Sequence, residues 1–227
     1  MNIGIAVAGH SSLDIIPEWN NGGVADLKPG HLLETQGIKF TTGGVVFNTG
    51  LTLYKLGIET NLITKIGNDY LGKIIKDKLT EKDENLTKNL VEVENKTTSY
   101  TIVLNPQDAD RIFLHYPGLN ETYTAEDVPY NQLENIELFH FGYPPLLKQC
   151  YKENGRESVK LFKKIQELGI VTSLDMTLPD PNSESGKIDW NKYLENVLPY
   201  VNIFAPSIEE LLYMISYNDY QKYEEGK

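Results

Sequence analysis

Short apolar strands alternate with helical patterns along most of this chain. Few folds satisfy that alternation other than an α/β domain, because strands that lie parallel need a long, usually helical, crossover between them. The run from Ile3 to Ala8 predicts the first strand, and Asn61 to Ile66, Leu138 to Phe141, Ile170 to Leu174 and Val201 to Phe204 predict the further core strands. Leu71, Ile74, Ile75, Lys78 and Leu79 recur at helical spacing after the second of these. Val159, Phe162, Ile165 and Leu168 do so after the third, where Gly169 gives the stop. The fold class predicted is therefore α/β with a mostly parallel central sheet.

Two stretches break the pattern, being β-rich with no helix between their pieces. They are Leu32 to Thr42, and a hairpin formed by Ser99 to Leu104 and Arg111 to Tyr116 around a turn at Asn105 to Asp110. Strands that leave an α/β core in pairs must bury an apolar face, so a small accessory sheet is expected over the substrate site or against a second subunit. The tail from Asn218 to Lys227 is polar and aromatic, with nothing after it to cover the last strand.

Charge narrows the partners. Lys and Arg number 21 against 32 Asp and Glu, a net charge of −11 that repels nucleic-acid backbones and anionic membranes. No apolar run is long enough to span a bilayer, and the opening one is too short for a signal segment. Cys150, the one cysteine, fits a reducing compartment and hence a cytoplasmic location. The Asn-x-Thr triplets at Asn85, Asn95 and Asn120 are read as chance.

Gly67-Asn-Asp-Tyr-Leu-Gly72-Lys73 has P-loop spacing, but Ile74 stands where that motif needs a Mg²⁺-binding hydroxyl. We read it as a strand-to-helix turn with Asp69 near the helix start. No dinucleotide-binding glycine motif occurs. Thr42-Gly43-Gly44-Val45-Val46-Phe47-Asn48 is more specific: paired glycines open a helix with Phe47, Leu51 and Tyr54 on one face, and they let backbone pass close to a ligand. Tyr143-Pro144-Pro145 and the histidines at 10, 115 and 140 carry no sharp reading.

Taken together, Gly9 with Asp14, then Gly43, Gly44 and Asn48, Leu56-Gly57, and Gly67, Asp69 and Gly72 resemble the N-terminal signature of the ribokinase-like (PfkB) carbohydrate kinases. Thr98, Asp110-Arg111, Gly118-Leu-Asn120, Phe141-Gly142, Asp175 and Glu210 continue it in order. The resemblance implies a three-layer ribokinase-like fold over 1–227, with lid strands around 32–42 and 99–116. It also implies ATP-dependent phosphoryl transfer to a hydroxyl of a small sugar or sugar acid, with Mg²⁺ at the phosphates and a homodimer formed through the lid. Asp14, Gly43, Gly44 and Asn48 match the family's sugar-binding positions, where a carboxylate or carboxamide can hold two hydroxyls at once. Asp175 falls in the phosphate and metal region. Pro206-Ser207-Ile208-Glu209-Glu210 matches a motif whose acid, here Glu210, places Mg²⁺ through water, but Ser207 replaces the family's Asn. Ser-x-x-Glu is also a capping box, so the two readings compete for Glu210.

The family's catalytic base lies in a Gly-Ala-Gly-Asp stretch whose amides form the anion hole, and no such stretch occurs in 1–227. The base is expected beyond Lys227, making this chain an N-terminal segment of a longer kinase or a degenerate gene product. A nucleoside kinase of the same fold, or a non-catalytic sugar-binding or dimerising fragment, are the other expectations that the residues leave open.

Overall fold

The computed structural model describes residues 4–19 and 22–226. The predicted first strand forms as β1 (Gly4–Gly9), with Ile3 outside the described residues. The chain continues through β2 (Ser12–Pro17), β3 (Ile38–Gly43), α1 (Val45–Lys55), β4 (Glu59–Gly67), α2 (Tyr70–Thr80), β5 (Leu90–Val93), β6 (Tyr100–Leu104) and β7 (Ile112–Tyr116). Then come β8 (Ile136–Gly142), α3 (Lys148–Glu167), β9 (Val171–Asp175), α4 (Trp190–Val197), β10 (Ile203–Phe204), α5 (Ile208–Ile215) and α6 (Tyr217–Glu225). Six strands in the order β10-β9-β8-β1-β4-β5 make an all-parallel sheet, and β3-β2-β6-β7 make a separate small one.

The core strands read as continuous apolar runs because the central sheet is covered on both faces. Val7 and Leu62 face one cluster, with Val46, Phe47, Ile75 and Leu79 of α1 and α2. Ala6, Ala8 and Ile63 face the other, with Phe139, Phe141, Leu161, Phe162 and Tyr193. The result is three layers around the sheet. Among the described residues no helix is long and apolar enough to cross a membrane.

Four expectations need correction. Of the stretch 32–42 only the part from Ile38 onward is strand, running one residue past it to Gly43, because β2 pairs with those residues, Pro17 opposite Ile38 through Ser12 opposite Gly43; Leu32 remains 85% exposed. β2 itself was missed, since a strand two residues after another breaks the strand–helix rhythm; Asp14 lies in it. Leu168 lies beyond the end of α3 and is 50% exposed. The tail forms α6, whose Tyr217 and Tyr220 rings pack on Tyr213 of α5 at 5.3 and 5.2 Å between centroids; Lys227 lies outside the described residues.

The strand order places the site. From β1 the chain passes to β4 and β5 on one side, then returns to β8 on the other, so the order reverses between β1 and β8. In open parallel sheets that reversal leaves a crevice beyond the carboxyl ends of the two strands, where ligands bind.

Candidate active site

The carboxyl ends of β1 and β8 are Gly9 and Gly142. They approach so closely that a Cβ on Gly9 would meet the Gly142 carbonyl oxygen, and the His10 amide donates to that oxygen at 3.3 Å. The turn after β1 is pinned from below. The Thr64 hydroxyl donates to the Gly9 carbonyl at 3.0 Å and shares a 2.8 Å hydrogen bond with the Ser11 hydroxyl, while the Asn120 amide donates to the Ser11 carbonyl at 2.9 Å. Asn120, read as a chance triplet, is thus a buried bracket for the loop.

α1 starts without a side-chain cap; instead the Val46 amide donates to the His10 carbonyl at 3.2 Å. That bond draws the paired glycines against the turn. A side chain on Gly43 would collide with the Asp14 carboxylate. At Gly44, with φ +83° and ψ 166°, a Cβ would stand 2.6 Å from both the His10 carbonyl oxygen and its Nδ1. Gly44 is required by its close approach to backbone and by its backbone angles, whereas a side chain at Gly43 would need only the Asp14 carboxylate to move aside. Asp14 is half-buried, holds the Ser12 hydroxyl at 2.8 Å, and has its carboxyl raised by burial against that hydrogen bond.

Asp14, Gly43 and Gly44 therefore come together with His10. Asn48, in the first turns of α1, is exposed and lines a groove of about 390 Å³ with Phe40, Thr41, Leu51, Lys55 and Lys82, a wall that does not include Asp14.

Across the crevice the ends of β8, β9 and the start of α5 gather a second group. Tyr143 is left-handed at φ 61° and ψ 46°, a region unfavourable for a bulky residue, and its amide donates to the Asp175 carbonyl at 3.2 Å. The Asp175 carboxyl accepts the Met176 amide at 2.9 Å, yet burial, aided by the negative charge of Glu210, pushes it up to about 6. Burial and then the same two acids raise the Tyr143 phenol. The capping box at the start of α5 is formed: the Ser207 amide donates to Glu210 Oε2 at 2.7 Å and the Glu210 amide to Ser207 Oγ at 3.2 Å. One Glu210 oxygen is committed to the helix cap. Among the described residues no three His, Cys, Asp or Glu side chains cluster as a complete protein metal site would require.

The P-loop look-alike consumes its own donors. The Asp69 carboxylate caps α2 through the Gly72 amide at 2.8 Å and takes the Thr98 hydroxyl and amide at 2.6 and 2.9 Å. Burial would raise that carboxyl, but these hydrogen bonds outweigh it and hold it below its ordinary value. The Gly67 amide goes to Thr98 Oγ1 and the Asn68 amide to the Val93 carbonyl, and Lys73 pairs with Asp77. The Asp110–Arg111 pair lies exposed in the hairpin turn, with the guanidinium over the Phe113 ring at 5.4 Å.

Sequence reasoning passed over His10 and Tyr143. A lone histidine and a Tyr-Pro-Pro triplet carry no signature; the one available hint was that each directly follows a glycine ending a core strand.

Comparison with known proteins agrees with this architecture. Residues 5–225 match the family model of the pfkB family carbohydrate kinases. An uncharacterized sugar kinase of Pyrococcus horikoshii is 26% identical over 190 residues, 83% of this chain and 58% of that protein's length. Its crystal structure superposes with a TM-score of 0.69 over 93% of this chain and 65% of its own, and it has also been solved in complex with ATP. An ATP-bound fructokinase of Xylella fastidiosa gives a TM-score of 0.73 at 16% identity, covering 94% of this chain and 64% of that one. The ribokinase of Arabidopsis thaliana, complexed with ribose and ATP, gives 0.68 at 18% identity over 94% and 63%. The chain thus spans less than two thirds of the length of these proteins.

Proposed function

We propose that this chain, which belongs to the pfkB family of carbohydrate kinases, is the sugar-binding and part of the phosphate-binding portion of an ATP-dependent kinase acting in the cytoplasm on a hydroxyl of a small sugar or sugar acid. The observation that carries the reading is the division of the crevice: a hydroxyl-binding group of Asp14 in β2 with Gly43 and Gly44 between β3 and α1, and a carboxylate pair of Asp175 at the end of β9 and Glu210 at the start of α5, with Tyr143 between. Asp14 accepts hydrogen bonds from the sugar and fixes its orientation, while the glycines bring backbone up to it. Asn48, matched to the sugar positions by the resemblance, lines a separate groove and stays outside this group.

The donor set fits Mg²⁺. Two carboxylates near enough for one to raise the other's pKa are hard oxygen ligands short of a positive charge, and Mg²⁺ takes one or two such groups alongside waters and phosphates. Asp175 and the uncapped oxygen of Glu210 would hold it, the latter through water. When bound, the ion offsets the phosphate charge of the nucleotide.

Calorimetric titration of the chain with hexoses, pentoses, keto-deoxy sugar acids and nucleosides tests the function. Binding of a sugar or sugar acid, weakened roughly tenfold in Asp14→Ala, is the expected result; binding of nucleosides alone would transfer the site to a nucleoside kinase. The metal half has its own measurement. With Asp175 raised from 3.8 to about 6, the neutral acid is the form the fold favours, so its stabilising effect is full below 3.8 and is lost as pH rises through 6. A carboxyl resonance titrating near 6 is expected to move down by about one unit in millimolar Mg²⁺. An unmoved midpoint would remove Asp175 from the metal region.

The lid supplies a dimer face. Ile38, Phe113, Leu114 and Tyr116 are large apolar side chains left exposed on the two edge strands of the small sheet. Light scattering is expected to give twice the chain mass, and Phe113→Glu to return it to monomer; a monomeric parent would end that part of the proposal.

A further inference from the structure

His10 sits at the strand-order reversal with both ring nitrogens buried and, among the described residues, without a hydrogen-bond partner. It is 4% exposed. Its Nδ1 faces the Cα of Gly44, and its ring is covered by His115 of β7 at 5.5 Å and Tyr143 at 6.1 Å between centroids. A buried polar group with no partner is costly, and the cost is greatest where the fold gains nothing in return. A phenylalanine of similar shape would fill the same space without it. His10 therefore bears the mark of a residue retained for a ligand.

We propose that His10 is a specificity-determining residue that hydrogen-bonds a hydroxyl of the sugar beside Asp14, an inference that rests on the sugar-kinase reading above. The chemistry selects a hydroxyl over an anion. Burial, with the neighbouring His115, holds the imidazole uncharged, its pKa down to about 3, so one nitrogen donates and the other accepts. A hydroxyl is likewise donor and acceptor at once. A phosphate or carboxylate would meet no cation at this ring. Access needs the His115 ring to swing aside: it is exposed, and is tethered by a 3.0 Å hydrogen bond between its Nδ1 and the Thr101 hydroxyl and by a hydrogen bond to the Tyr100 backbone. Such rotations in exposed residues are fast. The arrangement also couples substrate to lid, because the ring that uncovers His10 belongs to the small sheet.

The experiment compares the wild-type chain, His10→Phe and His10→Gln by urea unfolding and by calorimetry with the best-binding sugar and its monodeoxy analogues. His10→Phe is expected to keep or raise the unfolding midpoint while weakening the sugar about tenfold. His10→Gln, which restores one donor and acceptor, is expected to recover part of that loss. One deoxy analogue should bind the wild type about tenfold more weakly than the parent sugar and bind His10→Phe no differently from it. Equal sugar affinity in wild type and His10→Phe would overturn the inference and leave the kinase reading intact. So would a lower midpoint in both variants, since it would show that the nitrogens serve the fold. A wild type that binds no sugar fails the kinase reading, and this inference with it.

Discussion

The purified 227-residue chain is expected to turn over ATP at least about 10⁴-fold more slowly than a full-length family member assayed on its own sugar. Loss of a general base alone removes about 10² to 10⁴ in rate, and loss of preorganised amide donors on the transferring phosphoryl group a further 10² to 10³ or so. The Gly-Ala-Gly-Asp stretch that the family resemblance implies as the source of both does not occur in residues 1–227. Asp175 and Glu210, the acids proposed for the metal, are not amide donors, and Glu210 has one oxygen committed to the α5 cap. ATP consumption measured with the sugar panel decides the matter. Turnover comparable to the full-length enzyme would require a base among these residues. Asp175 would be the first suspect, because a carboxyl raised to about 6 lies near the operating pH of a general base.

Gly44→Ala is expected to be the most damaging small substitution in the site, lowering stability by about 3 kcal/mol and abolishing sugar binding. Two costs add. The backbone at φ +83° and ψ 166° is open to glycine and strained for any side chain, and the new Cβ would lie 2.6 Å from the His10 carbonyl oxygen and 2.8 Å from the Ser11 Cα. Neither backbone can retreat easily, because the His10 carbonyl caps α1 and the Asn120 amide holds the carbonyl of Ser11. Gly57→Ala separates the terms. Gly57 has φ +81° but no atom within 4 Å of a built Cβ, so it should cost only about 1 kcal/mol, the backbone share. Urea midpoints for the two variants measure the difference. Equal midpoints would mean that the turn after β1 yields freely, and the close packing of Gly44 on His10 would lose its significance.

Some of this protein was written in local chemistry. β1, β4, β8 and β9 were legible because burial on both faces demands an unbroken apolar run, and α2 because Asp69 and its apolar spacing mark a helix start and a core face. Asp69 could also be separated from a phosphate loop on the identity of Ile74 alone. The paired glycines were legible as a close approach, though not what they approach.

Other features were decided only by tertiary structure. β2 is a strand because β3 and β6 flank it, and nothing within its six residues announces partners so far away in the chain. Glu210 could be a helix cap or a metal ligand by sequence; the cap forms, yet the negative charge of the same carboxylate also acts on Asp175, a juxtaposition set by where β9 ends and α5 begins. His10 and Tyr143 gain meaning only once the strand order reverses between β1 and β8 and brings their rings together. Sequence determines propensity and burial, which act over a few residues. The pairing order of parallel strands joins residues more than a hundred positions apart, and it is that order which decides which side chains share the crevice.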